Sequence, residues 1–418
     1  MSASGQQDTA KTLTGKDRIW SLGAVIFAMA NVTFIIGLTF PLLALILKRQ
    51  GVDAGLIGIS TAVQGAAILF IAPFAPRIVA RLGPNWSMAV GMGGSALIVA
   101  LLPLWPNIWA WFPLRFALGA VSSLLWIASE AWINSVAQEQ SRGRVISLYG
   151  IAGSAGFTLG PLLLSIVGTQ TNTAFYVATA ALALPCLPLL RAPTHGIRFT
   201  KTDEEEKRDQ DQQANGTRQN GWLRVLLAAP APLLITFIFA GEEEAMHTFF
   251  TLFAMSLGEP EVLALRLISA IGLGGILLGY PLGWLADKVD RLKLLTVMTV
   301  VILATTLAIP LAISVHPLNY LYFFFLGGIL NGTYTTGMTL IGQRFEGHDL
   351  VTASTLTTTL WGVGAMAGPL AAGYGMQWWD PYGMIVAIAL IIILYLPVPI
   401  WEWARAAGRK TQEAAPAP

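Results

Sequence analysis

The run Gly241-Glu242-Glu243-Glu244-Ala245-Met246-His247 places three carboxylates and an imidazole inside an otherwise apolar stretch. Three consecutive residues sweep about 200° of a helix, so at least one of the glutamates must turn toward any aqueous space the fold encloses. Thr236, Ala240, Glu243 and His247 share one face; Glu244, His247, Thr248 and Thr251 share the next. Three carboxylates so close cannot all be ionised in a low dielectric. A carboxyl that exchanges a proton near neutral pH is what proton coupling requires, and Glu243 or Glu244, with Glu242 and His247 beside them, are the candidates. The plainer alternative is a break or tilt that lets the glutamates meet water or arginines of other helices. His247 either relays a proton or hydrogen-bonds its own helix.

A second set of polar residues follows one helical stripe. Arg115, Ser122, Trp126 and Glu130 fall within about 80° of one another at helical periodicity. An ionisable group near a membrane helix centre costs about 2.5 to 3.5 kcal/mol, so Arg115 and Glu130 invite explanation. At 1.5 Å per residue they lie about 22 Å apart and cannot pair. The stripe offers a cation toward one face and an anion toward the other, with Trp126 between them to stack on a substrate. Structural pairing of either charge with a neighbouring helix is the competing reading. Asn331, Thr333, Tyr334, Thr335, Thr336 and Thr339 make an unusually polar stretch in which Asn331, Thr335 and Met338 have the spacing of a cavity wall, although threonines in such helices often bond only their own backbone. Asn31 and Gln64 are lesser cavity candidates.

Lipid is the solvent that these residues imply. The 418 residues are 55% hydrophobic and 11% charged, whereas soluble domains run at about 25% charged. With a mean hydropathy of +0.63 this excludes disordered and nucleic-acid-binding proteins. A single cysteine, Cys186, removes disulfides, cysteine metal sites and redox motifs. No metal cluster, nucleophile triad or phosphate loop is found in the sequence, and Gly272-Leu273-Gly274-Gly275 has no preceding strand to make it a dinucleotide site. No cofactor and no enzymatic activity are expected.

Twelve apolar stretches are long enough to cross about 30 Å of hydrocarbon. They lie near 20–47, 54–79, 86–106, 108–136, 144–167, 172–190, 222–256, 261–286, 292–314, 317–341, 350–377 and 380–400. No small-residue cleavage site follows the first, which reads as a retained helix. With the N-terminus cytoplasmic, Arg77, Arg81, Arg142, Arg144, Lys288, Arg291, Lys293 and Arg344 fall on the inner side, against Lys48, Arg49 and Arg266 outside. That asymmetry fixes the orientation and places both termini in the cytoplasm. The expected order is a tail over 1–18, a six-helix bundle over 19–190, a flexible cytoplasmic linker over 191–221 that includes the polar run Asp203–Asp211, a second bundle over 222–401 and a tail over 402–418.

The two halves repeat. Gly156, Gly160 and Pro161 recur as Gly364, Gly368 and Pro369 at an offset of 208, and Leu118-Gly119 recurs as Leu326-Gly327 at the same offset. Arg81 corresponds to Lys288 at 207. The reading is two six-helix halves related by an axis along the membrane normal, with a cavity between them.

These residues carry a resemblance to the major facilitator superfamily. Gly283-Trp284-Leu285-Ala286-Asp287-Lys288-Val289-Asp290-Arg291 resembles its loop signature, Arg115 with Gly119 its fourth-helix motif, and Gly156, Gly160 and Pro161 part of its fifth-helix antiporter motif. Ser129-Glu130-Ala131-Trp132-Ile133-Asn134 with Arg142-Gly143-Arg144-Val145 is similar to a little-characterised bacterial subgroup. The resemblance implies an all-α integral membrane protein of twelve helices in two pseudo-symmetric bundles. It also implies a conformational latch at Asp287, with Lys288, Arg291 and Arg81, that contacts the start of the eleventh stretch. Ala80 replaces the signature aspartate in the first half, and Leu164-Ser165 replaces the closing glycine pair of the antiporter motif.

The expected protein is a monomeric secondary transporter of the bacterial inner membrane, with a small-molecule substrate, protons and the lipid bilayer as its partners. The first reading is proton-coupled export of a small amphipathic or cationic organic compound. The rivals are proton-coupled import of a small anionic nutrient, favoured by Arg115, and a transporter-like sensor or lipid-handling protein.

Overall fold

A computed structural model of the chain describes residues 15–136, 142–191 and 221–413. Residues 1–14 of the expected N-terminal tail, residues 192–220 of the expected linker with the run Asp203–Asp211, and residues 414–418 of the expected C-terminal tail lie outside the described residues. Among the described residues every regular element is helical: α1 (Gly15–Arg49), α2 (Ala54–Ile71), α3 (Ala75–Leu82), α4 (Pro84–Leu101), α5 (Ile108–Val136), α6 (Arg142–Val167), α7 (Thr173–Ala183), α8 (Cys186–Arg191), α9 (Gly221–Ala228), α10 (Pro230–Ser256), α11 (Glu261–Lys288), α12 (Arg291–Ala312), α13 (Leu318–Arg344), α14 (Gly347–Trp378), α15 (Gly383–Tyr395) and α16 (Pro397–Glu413).

Eight of these helices are individually long and apolar enough to cross a membrane, or nine if α9 and α10 count as one broken span. Several expected continuous stretches are in fact interrupted. The stretch near 222–256 bends by 91° between α9 and α10, where Pro230 opens the second helix. Proline lacks an amide hydrogen and suits a first helical turn better than an interior. Breaks also separate α2 from α3, α7 from α8, and α15 from α16. In contrast, α13 and α14 are continuous and long, yet too polar to pass as lipid-facing spans.

Small residues decide which helices touch. Gly156 and Gly160 of α6 lie on the backbone of α1: a Cβ at Gly160 would come 2.7 Å from the Phe34 carbonyl oxygen. Their counterparts behave alike, since a Cβ on Gly364 would strike the Phe237 carbonyl of α10, and one on Gly368 the Gly241 carbonyl. Backbones approach this closely only where no side chain intervenes. Gly119 packs in the same way on the Gln64 carbonyl of α2, and Gly327 on the Ile271 carbonyl of α11. The main pairs are thus α1 with α6 and α2 with α5, then α10 with α14 and α11 with α13. Two large crossings join the earlier helices to the later ones, α2 with α14 and α6 with α11, and α1 also touches α10.

The two ends of α11 name the faces of the molecule. On the Glu261 side the crossings are tight. A Cβ on Gly58 would lie 2.5 Å from the Pro369 carbonyl oxygen, and Gly55 lies against Gln377. Arg49 donates to the Thr169 carbonyl (2.8 Å) and to Glu261 (2.6 Å), and the Thr169 hydroxyl donates to the other oxygen of Glu261. On the Asp287 side Glu130, Thr335 and Thr358 are exposed. The two halves are therefore in close contact toward Glu261, while these polar residues nearer Asp287 are exposed.

Candidate substrate cavity

The three glutamates sit midway along α10, whose start is tied down by Glu402 of α16, which accepts the Ala231 amide at 3.0 Å and pairs with Arg344. Because the helix turns by 100° per residue, the carboxylates diverge. Glu242, 4% exposed, reaches α12, where the Thr306 hydroxyl donates to it at 3.3 Å. Glu243 turns into a cavity together with His247. Glu244 faces the earlier helices and feels the positive charge of Arg115 on α5. The expected sweep is present without any break in the helix at the glutamates.

The cavity holds about 630 Å³ of empty space, part of it open to solvent, and is walled by α6, α10, α11 and α13. Its polar lining includes Ser154, Glu242, Glu243, His247 and Asn331, and its apolar lining includes Phe157 and Phe239. One oxygen each of Glu242 and Glu243 is buried with no hydrogen-bond partner. His247 Nδ1 lies 2.9 Å from the Glu243 carbonyl oxygen, so a neutral ring donates there and keeps Nε2 as an acceptor. The Phe157 ring stacks obliquely on the imidazole at 5.3 Å. An unpaired buried carboxylate oxygen is costly, and it marks a place that awaits a proton or a donor.

Arg115 does not line this cavity. It is fully buried, donates to Gln64 (3.3 Å) and Ser60 (3.5 Å), and has Phe40 at 5.7 Å, with one terminal nitrogen unpartnered. Gly119 sets this up by letting α5 lie on the backbone of α2 at Gln64. In this conformation Arg115, its unpartnered nitrogen included, is buried away from the cavity. Gln64 is a ligand of Arg115 and not a cavity residue.

Other expected residues divide. Asn331 lines the cavity, and Thr335 beside it donates to the Asn331 side chain at 3.3 Å. Tyr334 stacks on Phe239 at 4.7 Å and meets Trp361 at 5.6 Å, and its hydroxyl is in electrostatic range of both Glu130 and Glu243. Trp126 does not stand free between the two charges, because its indole donates to Glu130 at 2.9 Å. Ser122 turns away toward α4, 3.4 Å from Ser95, and Asn31 bonds its own helix at Phe27. At the Asp287 end, Asp287 pairs with Arg291 (2.5 Å) and Lys288 lies over Trp284 (3.9 Å), while Arg81 is exposed. The cross-partner of α11 is α6, and that of α14 is α2. The pairing thus sets α6, and not the eleventh stretch α14, opposite α11, and the ion pair that Asp287 makes is with Arg291 of its own loop.

Some cavity residues gave no chemical signal in the sequence. Ser154, Phe157 and Met246 are apolar or weakly polar, and only the fold brings them together. Ser60 could have been found, four residues before Gln64 on the same face.

Residues 22–332 and 267–418 match the Major Facilitator Superfamily. The chain belongs to this family. It is 25% identical over 365 residues to the uncharacterized MFS-type transporter YfkF of Bacillus subtilis, covering 85% of this chain and 88% of that one. It is 24% identical over 319 residues to the uncharacterized MFS-type transporter YcaD of Escherichia coli, covering 76% and 79%. Among solved structures, a mutant of the nucleoside transporter NupG shares the fold with a TM-score of 0.74 at 12% identity, covering 91% of this chain and 99% of that one. A bacterial homologue of the lysosomal transporter Spinster, inward-facing and unoccupied, follows with a TM-score of 0.69 at 14% identity, covering 94% and 96%. The chain is thus a multi-pass membrane transporter and not an enzyme.

Proposed function

We propose that this transporter exports a small amphipathic or cationic organic compound in exchange for protons. Its twelve spans form two six-helix bundles of the bacterial inner membrane, with both termini and the Asp287 side in the cytoplasm. The single observation that supports this most is the cavity: carboxylate oxygens without protein partners, aromatic walls, and no lysine or arginine in its lining. A site of this composition stabilises a cation when ionised and a neutral wall when protonated, so one carboxylate can hold either passenger in turn. Glu244, facing Arg115 from the other bundle, couples the proton state of α10 to the relation between the bundles.

The test is flux in proteoliposomes loaded with a pH indicator, using a panel of amphipathic organic cations, both protonated amines and quaternary ammonium compounds. Wild type moves the cation outward as protons move inward under an imposed ΔpH. Glu243→Gln and Glu244→Gln lose ΔpH-driven flux, while at least one of them retains cation exchange at equal pH. Full ΔpH-driven flux in both single variants and in the double variant refutes the assignment.

A further inference from the structure

We infer that the cavity between α6, α10, α11 and α13 takes a protonated primary or secondary amine with a flat apolar body, its N–H groups donating to Glu243 and its bulk limited at Gly275. This deepens the cationic-substrate reading and rests on it.

The lining is rich in acceptors. Glu242 and Glu243 each keep an oxygen without a partner, and a neutral His247 that donates through Nδ1 to its own helix presents a lone pair at Nε2. The ligand that relieves all of these brings both charge and hydrogens. Hydrogen bonds from a cation to a carboxylate are shorter and stronger than neutral ones. A carboxylate ligand would add acceptors to acceptors, and a quaternary ammonium would bring charge without a donor. Among the described residues no group of three histidine, cysteine or acidic side chains is placed to hold a metal ion, so a transition-metal ion lacks its usual ligand set.

The body of the ligand has an apolar wall in Phe157, Phe239 and Ile271. Three glycines complete the lining, and they are not equivalent. A Cβ on Gly272 would strike the Thr158 hydroxyl, and one on Gly327 the Ile271 carbonyl, so both are needed for helix packing. A Cβ on Gly275 would meet only the Asn331 amide nitrogen at 3.4 Å and other atoms beyond it, an ordinary contact. Its missing side chain is space left to the cavity. Gly275 and Asn331 therefore set the depth available to the ring.

Calorimetric binding to the protein in nanodiscs, at one pH and with no gradient, tests this with 2-phenylethylamine, its N,N,N-trimethyl derivative, 2-phenylethanol, phenylacetate and 2-(1-naphthyl)ethylamine. The amine should bind at least about tenfold more tightly than the trimethyl derivative and the alcohol, with phenylacetate weakest. Glu243→Gln should weaken the amine about tenfold and leave the alcohol unchanged. Gly275→Ala should keep the melting temperature, yet weaken the naphthyl amine severalfold more than the phenyl amine. Failure of every compound to bind, equal binding of amine and trimethyl derivative, or an amine affinity insensitive to Glu243→Gln overturns the amine assignment; equal losses for both ring sizes in Gly275→Ala overturn the role of Gly275. Because no proton gradient enters the assay, these outcomes are independent of whether proton-driven flux is found.

Discussion

Glu261 is the point at which the closed face can be loosened most cleanly. It alone receives both Arg49 and the Thr169 hydroxyl across the crossing, and its side chain is 19% exposed while that of Arg49 is 31% exposed. A partly exposed ion pair contributes about 0.5 kcal/mol. A hydrogen bond to a charged acceptor adds about 1.5 kcal/mol. Glu261→Ala removes both, whereas its favourable place in the first turn of α11 exists in either conformation and cancels. The loss of about 2 kcal/mol shifts the balance between closed and open at this face by a factor of about 30. The readout is maleimide labelling in nanodiscs at Ala54→Cys, a site 6% exposed where the start of α2 packs on Gly373 of α14, with Cys186→Ser to remove the native thiol. Labelling should accelerate by roughly that factor in Glu261→Ala, and the neighbouring exposed charge Lys48, replaced by alanine, should leave it unchanged. Equal labelling rates with and without Glu261 would show that the glycine crossings alone hold the face shut.

Further expectations follow from the same contacts. Arg115→Ala leaves Glu244 without its opposing charge and Gln64 without its donor, so the melting temperature should fall by an amount equivalent to about 3 kcal/mol, with Arg115→Lys recovering only part because the planar fork to Gln64 and Ser60 is lost; an unchanged melting temperature in Arg115→Ala contradicts the pairing. Asp287→Asn should favour the state open on the Asp287 side, read as faster labelling of Gly283→Cys, a position with open space around it; slower or equal labelling speaks against a latch onto α6. Gly368→Ala forces a methyl into the backbone of Gly241 beside the glutamates and should lower stability by about 1 to 3 kcal/mol, while Gly279→Ala, which meets nothing within 4 Å, should not; similar melting curves for the two variants would refute the packing role.

Much of this molecule was legible because lipid enforces simple rules. Composition gave the solvent, the 208-residue offset foretold the matched packing of Gly156–Gly160 and Gly364–Gly368, and the loop around Asp287 carried the family. The helical period also required the three glutamates to part company. What periodicity could not say is which neighbour each would meet, since that depends on residues far away in the chain. Glu242 found Thr306 with one oxygen and keeps the other at the cavity, Glu244 found Arg115, and Glu243 turned to the cavity with His247. Arg115 looked available to a substrate because a stripe shows phase but not burial; the contact of Gly119 with Gln64 draws α2 over it and closes it off. Likewise the seal at Arg49, Thr169 and Glu261 joins segments that are each unremarkable alone, and its strength arises only when tertiary packing sets one carboxylate opposite two donors.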